Sequence, residues 1–334
     1  MISEILFKIV SPMFFRGPGE FSPQARGPFS FARSLILPTP STLAGCLATS
    51  LGKFNGIEGE SWEEEVTRAL ALPENAFLRG PYLVADNDVY IPIEGMNGLL
   101  ELSKIKRFVE DLLSGKRDEA EKILVSMERY TFEHVGIGLK PGEKVVNEEE
   151  GLIYWAQFHD YLAAFRGKEV WIGMDAHGFQ AETGKIARLG GEGKITKIEH
   201  RMNGGRIYKL IENFVKTCSS ECVLLLVSHS FIEPPRLEPE EIAPGVYVYP
   251  AVYSSIRKLL PNLNVKRVIG TTRLLGAGYS KARNLRKPLY TALSPGTLIE
   301  IDQFSPDLIP HIYNKGLSII GGKIGYGTFI PVTL

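Results

Sequence analysis

The chain has 334 residues, of which 44% are hydrophobic and 23% are charged. This is the composition of a globular protein with a sizeable core, and it excludes a disordered or collagen-like chain. No apolar run approaches the roughly 20 residues that a membrane-spanning helix needs.

The amino terminus and the cysteines point to a cellular compartment. The first ten residues place Glu4 and Lys8 inside their apolar stretch. They therefore lack the apolar core of a secretory signal, and we predict a cytoplasmic protein. The cysteines are odd in number, and the pair Cys218 and Cys222 has no second Cys or His pair at zinc-finger spacing. The sequence predicts neither a disulfide framework nor a structural zinc.

A formal net charge of zero hides a segregation of charge along the chain. Between Arg257 and Lys287 there are nine basic residues and no acidic residue, whereas acidic runs occupy 58–65, 143–150 and 233–241. Such a chain can offer one face to a polyanion and another to a different partner. An ordinary solvated surface is the alternative.

The first elements in chain order are a strand, a loop and a helix. Residues 5–9 alternate in the manner of a half-buried strand. A basic loop rich in Gly and Pro follows over 16–33. Thr39 as a cap, Pro40 in the first turn and leucines at 43, 47 and 51 then predict a helix.

The next elements complete a recognisable order. Residues 81–95 predict a hairpin around Asp86-Asn87-Asp88, residues 101–113 a helix with a second one through 118–129, and residues 168–176 a strand. Strand, helix, hairpin, helix and strand form the βαββαβ order of a ferredoxin-like (RRM-like) fold. We expect an α+β protein whose first domain spans 1–200, with a projecting hairpin inserted near 134–160.

The second half of the chain predicts another, degenerate ferredoxin-like domain over 201–334. Its expected elements are a helix over 206–218, strands over 221–232, 245–253, 265–275 and 296–302, and a short helix over 308–314. Pro234 and Pro235 end the first of these strands.

Three glycine clusters, at 189–194, 276–279 and 321–327, suggest close approach of the backbone to a ligand. Their spacing excludes a mononucleotide P-loop and a dinucleotide-binding loop. Lys194, Lys281 and Arg283 can meet phosphates, and Tyr279 and Tyr326 can stack on bases, a combination that suits single-stranded nucleic acid. Alternatively, the glycines serve strand turns and the tyrosines are half-buried. The start of the Thr39–Leu43 helix, beside the basic loop, is a natural phosphate site.

Several segments together resemble a known family. They are FARSLILPTPSTLAGCL, HVGIGLKPGEKVVNEEEGLIYW, RLGGEGK and GKIGYGTFIPV. They resemble the repeat-associated mysterious proteins (RAMP superfamily) of CRISPR antiviral systems, and more narrowly the third subunit of the type III-B (Cmr) effector ribonucleoprotein. The resemblance implies two ferredoxin-like domains without catalytic residues, metal or cofactor. It also implies that the subunit holds the 5′ tag of the guide RNA and joins the large polymerase/cyclase-like subunit to the backbone RAMP subunits.

The resemblance and the glycine loops give a set of candidate RNA-binding residues. The resemblance assigns the loop from Arg16 to Arg33, the helix start and the glycine-rich loop at 188–194 to the RNA path, and the hairpin from Val135 to Ile153 to contacts with RNA or a neighbour. The full set is Arg16, Arg26, Arg33, Ser41, Thr42, Arg188, Gly190, Gly191, Gly193, Lys194, Arg273, Gly276, Gly278, Tyr279, Lys281, Arg283, Gly325 and Gly327.

Two alternatives stay open. Some members of the superfamily cut RNA without metal through a histidine, for which His134 is the best candidate among six histidines. Asp175 and His177 supply only two potential metal ligands. The other alternative is a scaffold that binds protein only, whose partners would show a flat salt dependence where RNA binding shows a steep one.

Overall fold

The computed structural model describes residues 2–17, 31–52, 59, 61–137, 153–202, 204–217, 221–233, 240–243, 246–248, 250–280 and 285–334. Helices are α1 (Pro40–Ser50), α2 (Trp62–Ala69), α3 (Ile105–Leu113), α4 (Arg117–Lys122), α5 (Tyr161–Ala164), α6 (Ile207–Thr217), α7 (Pro250–Leu259) and α8 (Leu308–Lys315). Short 3₁₀ turns lie at Glu94–Met96, Leu102–Lys104, Glu128–Tyr130 and Gly322–Ile324. None of the described helices is long and apolar enough to cross a membrane.

The strands make the protein a mixed α+β structure with mainly antiparallel pairing. They are β1 (Ile2–Lys8), β2 (Phe31–Ala32), β3 (Phe77–Ala85), β4 (Asp88–Ile93), β5 (Gly98–Glu101), β6 (Val125–Ser126), β7 (Thr131–Ile137), β8 (Ile153–His159), β9 (Val170–His177), β10 (Ile186–Arg188), β11 (Ile195–Arg201), β12 (Glu221–Leu226), β13 (Ser230–Ile232), β14 (Glu240–Ala243), β15 (Val246–Val248), β16 (Asn264–Ile269), β17 (Thr272–Gly276), β18 (Tyr279–Ser280), β19 (Leu285–Arg286), β20 (Leu289–Leu293), β21 (Leu298–Asp302) and β22 (Phe329–Thr333).

The larger sheet has the strand order β10-β11-β1-β9-β3-β4-β5-β6. The predicted first strand, hairpin and last strand all belong to it, and the predicted helices before and after the hairpin are confirmed as α1 and α3. The order β11-β1-β9-β3 is the one expected of a βαββαβ unit. However, β9 is its third strand and not the predicted last one, β4 of the predicted hairpin lies outside it, and its last strand is β11, for which the sequence predicts no strand. The connection from β9 to β11, where such a unit usually carries its second helix, holds the short strand β10, which forms a hairpin with β11.

The first strand is buried on both faces rather than on one. Leu6 is as fully buried as Ile5 and Phe7. Ile5 and Phe7 pack with α1, whereas Leu6 packs with residues from the second half of the chain. The expectation of a half-buried strand is wrong because the second half covers the face that it left to solvent.

The second sheet is more regular than its predicted degenerate form. Its order is β16-β21-β12-β22, and α7 and α8 lie in the connections from β12 to β16 and from β21 to β22. This is again the order expected of a βαββαβ unit. Both sheets contribute to one continuous apolar core, while the division into domains at about residue 200 stays a prediction.

Three predicted strands differ from the structure. The segment 245–253 is a short strand followed by α7, which begins at Pro250 because proline suits the first helical turn. The segments 221–232 and 265–275 each break into two strands that enter different sheets. The predicted second helix, 118–129, is shorter and ends at Lys122, before β6.

A buried arginine joins the two sheets. Arg79 of β3 is fully buried, and its guanidinium donates hydrogen bonds to the carbonyls of Tyr313 (2.6 Å), Asn314 (2.7 Å), Gly322 (2.6 Å) and Leu78 (2.5 Å). Tyr313 and Asn314 end α8, where carbonyls have no partner within the helix and the helix dipole is negative. Burial lowers the pKa of Arg79 to about 10, so the group stays charged at neutral pH.

A second buried network ties the first sheet to α6. The Asp175 carboxylate on β9 accepts hydrogen bonds from Tyr82 Oη (2.7 Å) and from the backbone N–H groups of Arg206 (2.9 Å) and Tyr208 (2.8 Å) at the start of α6. Glu4 accepts from Tyr82 Oη (3.0 Å) and Arg206 Nε (2.6 Å). Burial raises the pKa of Asp175 to about 6, although its hydrogen bonds act in the opposite direction. Asp175 therefore holds a helix start in place.

Replacement of Arg79 by Met should lower the free energy of unfolding by about 3–5 kcal/mol, because four carbonyls lose a charged hydrogen-bond donor. Urea denaturation followed by tryptophan fluorescence measures this loss. Arg257→Met, at an exposed position of α7, is the matched control and should change the free energy by less than about 0.5 kcal/mol. Equal urea midpoints for the two variants would refute the role of Arg79.

The raised pKa of Asp175 predicts a pH dependence of stability. The folded state holds the proton more tightly than the unfolded state, so the contribution of Asp175 to stability falls as pH rises from about 4 to about 6 and is constant above it. As pH rises across this range, the free energy of unfolding of wild type should fall by roughly 3 kcal/mol relative to that of Asp175→Asn. Asp118→Asn, exposed on α4, is the control. A pH-independent difference for Asp175→Asn contradicts the prediction.

Candidate nucleic-acid interface

Backbone hydrogen bonds join the two ends of the predicted basic loop, and we call these paired ends the neck. The N–H of Gly17 donates to the carbonyl of Arg33 (2.8 Å), and the N–H of Leu35 donates to that of Phe15 (2.7 Å). Arg16 faces Ser34 in an isolated bridge, and both Arg16 and Arg33 are exposed. Two predicted RNA-binding arginines thus lie side by side where the loop begins and ends, while Arg26 lies outside the described residues.

The glycine-rich loop at 189–194 is the turn of the β10–β11 hairpin, and it packs against this neck. Gly191 N–H donates to the Phe14 carbonyl (3.0 Å). A Cβ at Gly190 would lie 2.6 Å from that carbonyl oxygen, and one at Gly191 would lie 2.6 Å from the Phe14 ring. These two glycines are therefore required for close packing. Arg188 and Lys194 flank the turn, Arg188 exposed and Lys194 half-buried, and Gly193 is exposed.

The predicted projecting hairpin starts at the same place. Strands β7 and β8 pair from Thr131↔His159 to Ile137↔Ile153, and the tip at 138–152 lies outside the described residues. Met13 and His159 exchange backbone hydrogen bonds of 2.9 Å. We call the surface formed by Arg16, Arg33, Arg188, Lys194 and the base of the β7–β8 hairpin the neck surface. It brings together three predicted elements from separate parts of the chain, at 16–33, 131–159 and 188–194.

The start of α1 is closed by protein. Thr39 occupies the cap position, but its hydroxyl bonds to the hydroxyls of Ser41 and Thr42 (both 3.0 Å) and makes no capping hydrogen bond. The Ser41 hydroxyl lies 3.0 Å from the Tyr326 hydroxyl, and Ser41 is buried. The phosphate site predicted at this helix start is thus occupied by a tyrosine hydroxyl, and among its predicted residues Thr42 is half-exposed.

The closing glycine cluster is buried. Gly325 and Gly327 have φ angles of +116° and +68°, and their N–H groups donate to the carbonyls of Gly322 and His229. Neither N–H is available to a phosphate. Tyr326 is fully buried and stacks on Phe231 with ring centroids 4.4 Å apart, so its predicted use as an exposed stacking platform is wrong.

Arg273 lies apart from the neck surface. Its guanidinium contacts Glu94 (3.0 Å), which is also 3.1 Å from His229 Nε2. Burial alone would raise the pKa of Glu94, but His229 and Arg273 hold it below its ordinary value. This is a structural ion pair inside the fold.

Other members of the basic run also have acidic partners within the fold. Lys258 pairs with Glu233, Lys266 with Glu221 and Asp302, and Arg267 with Glu300. The run of nine basic residues is therefore not a free cationic strip.

The remaining candidates lie in or beside the second glycine cluster, at 276–279. Gly278 is exposed, and a Cβ there would lie 3.5 Å from Ser41 Oγ, so this glycine borders the start of α1. Gly276 ends β17, and the backbone of Tyr279 pairs with that of Arg286. Lys281 and Arg283 lie outside the described residues.

The histidines have environments that differ from one another. Burial lowers the pKa of His159 to about 4, and its Nδ1 lies 2.8 Å from Thr131 Oγ1. His177 stacks on Phe77 with centroids 4.8 Å apart, and Asp175 is committed to α6, so the two do not converge on a metal. His134 is exposed at the edge of the Phe158 ring.

Sequence reasoning missed the aromatic residues of the neck surface. Phe14, Phe132 and Phe158 lie between the predicted basic elements, and Lys194 Nζ lies 5.0 Å from the centroid of Phe158. The sequence does contain an indication of this cluster, because Phe132 and Phe158 lie near the two ends of the predicted hairpin, where paired strands bring residues together.

Comparison with known proteins finds similar chains among CRISPR-associated proteins. Residues 10–95 match a family model described as CRISPR-associated protein (Cas_Cmr3). The curated "CRISPR system CMR subunit Cmr3" of Saccharolobus solfataricus is 25% identical over 99% of this chain and 96% of its own length. Two cryo-EM structures titled as the type III-B Cmr-beta complex bound to cognate target RNA, one of them also with AMPPnP, contain a chain of the same fold. The TM-score is 0.58 in both, at 20% identity, with coverage of 97% and 98% of this chain and of 94% and 96% of those chains.

The full-length sequence match to a curated subunit, together with the family match over 10–95, agrees with the resemblance carried by the glycine-rich loop and the hairpin. The chain is thus similar to the Cmr3 family of CRISPR-associated proteins over residues 10–95, and to one curated Cmr3 subunit over nearly its whole length.

Proposed function

We propose that this chain is an RNA-binding subunit of a type III-B CRISPR effector ribonucleoprotein, without catalytic activity of its own. In this role it holds the 5′ tag of the guide RNA and bridges the large polymerase/cyclase-like subunit to the backbone RAMP subunits. Its two βαββαβ strand orders support a pair of ferredoxin-like domains, 1–200 and 201–334, as the scaffold.

The convergence of predicted elements at the neck surface is the observation that carries this proposal. The loop ends at Arg16 and Arg33, the turn that carries Lys194, and the β7–β8 hairpin lie against one another through Phe14 and Phe158. Cations at the protein surface suit a phosphate chain, since contacts with the phosphates position RNA without reading its sequence.

The environments of the described histidines support a non-catalytic role. A general acid or base needs a pKa near the working pH and access to the substrate. His159 is buried and neutral, His177 stacks on Phe77, and His229 is buried in contact with Glu94. His134 is exposed, so it is the residue on which the ribonuclease alternative depends.

Simultaneous charge reversal at Arg16, Arg26 and Arg33 should weaken retention of guide RNA without unfolding the protein. The reason is that these arginines are proposed to neutralise phosphates. The dissociation constant of the full chain for single-stranded RNA with the repeat-derived 5′ tag, measured against salt, should show a slope reduced by about one for each lost phosphate contact.

Charge reversal at Lys209, Lys216 and Arg257, which are exposed on α6 and α7, is the matched control because it changes the net charge equally. Equal weakening by both triple variants would count against the neck surface as the RNA path. A flat salt dependence of the wild type would favour the protein-only scaffold.

Purified full-length protein should leave end-labelled repeat RNA intact, because no described histidine combines exposure with a general acid–base partner. Denaturing electrophoresis after prolonged incubation in EDTA tests this. Cleavage that His134→Ala abolishes, while His311→Ala at an exposed position of α8 retains it, would establish the ribonuclease alternative.

A further inference from the structure

An exposed aromatic ring stands at the base of the β7–β8 hairpin. Phe132 is 42% exposed, which is unusual for so large an apolar side chain beside charged neighbours. Its ring lies almost parallel to that of Phe158, at 15° and a centroid distance of 5.7 Å. Phe158 is buried and rests on Phe14 at 5.6 Å. We call these three rings the aromatic shelf.

The shelf is held rigidly. Phe132 and Phe158 face each other directly across the two strands, so the strand register fixes their separation. Phe14 and the Lys194 ammonium group, 5.0 Å from the centroid of Phe158, support the inner ring. A ring that is already in place loses little conformational freedom when a planar ligand stacks on it.

We propose that Phe132 stacks on an unpaired nucleobase of the RNA strand that the neck surface binds. This inference rests on the proposed function and adds base stacking to backbone contact. Lys194, beside the shelf, supplies a cation for the adjoining phosphate, and Arg16 and Arg33 extend the cationic surface. Because every base has a π-face, the shelf accepts any base and helps to hold a single strand rather than a duplex.

The surroundings favour a base over a protein partner. His134 and Ala156 are the next residues on the same face of the hairpin, and His134 is polar. Val135, also exposed, alternates onto the opposite face. Within the described part of the hairpin, the ring therefore stands alone instead of belonging to a broad apolar patch of the kind that marks protein interfaces.

The test compares two fluorescein-labelled single-stranded RNAs of about 12 nucleotides, within the site sizes of single-strand binders. One is oligouridine and the other is an abasic oligomer with the same number of phosphates. Full-length Phe132→Ala should bind oligouridine about tenfold more weakly than wild type, and should bind the abasic RNA with unchanged affinity and salt slope. Val135→Ala is the matched control. Phe132→Trp should bind oligouridine more tightly than Phe132→Ala does, and oligouridine should quench the fluorescence of the introduced tryptophan.

The outcomes separate the inference from the proposed function. If wild type binds both RNAs equally with a steep salt dependence and Phe132→Ala changes neither, the neck surface binds backbone and the stacking role is refuted. If wild type binds neither RNA, both proposals are refuted. If Phe132→Ala keeps its RNA affinity but releases a neighbouring subunit from the reconstituted complex, the shelf is a protein contact.

Discussion

The contact of the Arg79 guanidinium with the end of α8 is the interaction on which the relative placement of the two sheets depends. One buried cation donates hydrogen bonds to the carbonyls of Tyr313 and Asn314 at the end of α8 and to that of Gly322 in the turn that follows. The Gly322 turn leads directly to Tyr326, whose hydroxyl closes the start of α1. Helix α1 in turn packs against β10, which carries one end of the glycine-rich turn. The geometry of the neck surface thus depends, through α1, on the buried guanidinium of Arg79.

Neutral acceptors explain how this charge can be buried. A carboxylate partner would itself have to be desolvated, whereas carbonyls at a helix end are polar groups that need a donor in any case. The rings of Phe77 and Tyr313 lie 4.6 and 5.5 Å from the guanidinium carbon and add cation–π attraction. The pKa of Arg79 falls only to about 10, so the protein keeps the charge. Asp175 is the opposite case, because burial raises the pKa of this carboxylate towards neutrality although it accepts a hydrogen bond from the Tyr82 hydroxyl.

Local patterns in the sequence predict most elements of the fold, and distant contacts explain what they do not predict. The helix at Pro40 and the hairpin at Asp86 follow from capping and turn residues, which act over a few positions. The β10–β11 hairpin escapes prediction because Ile186 and Ile195 lie on its exposed face, contrary to the usual pattern. Arg79 stands alone in an apolar strand, and its acceptors lie more than 200 residues away. No spacing rule connects residues at that distance.

The sequence predicts the cations of the candidate site. It does not predict that the glycines serve protein packing or that aromatic rings lie among the cations. Charge pairing across strands, as between Arg267 and Glu300, removes cations from a run that looks free in the sequence. Gly190 and Gly191 allow close packing against Phe14, and the N–H of Gly191 donates to the Phe14 carbonyl rather than to a phosphate. What remains accessible at the neck is a set of flexible cations around one rigid, exposed ring. Flexible cations follow a phosphate chain in many geometries, but a fixed ring accepts only a base that has left its stack, and this selects a single strand over a duplex.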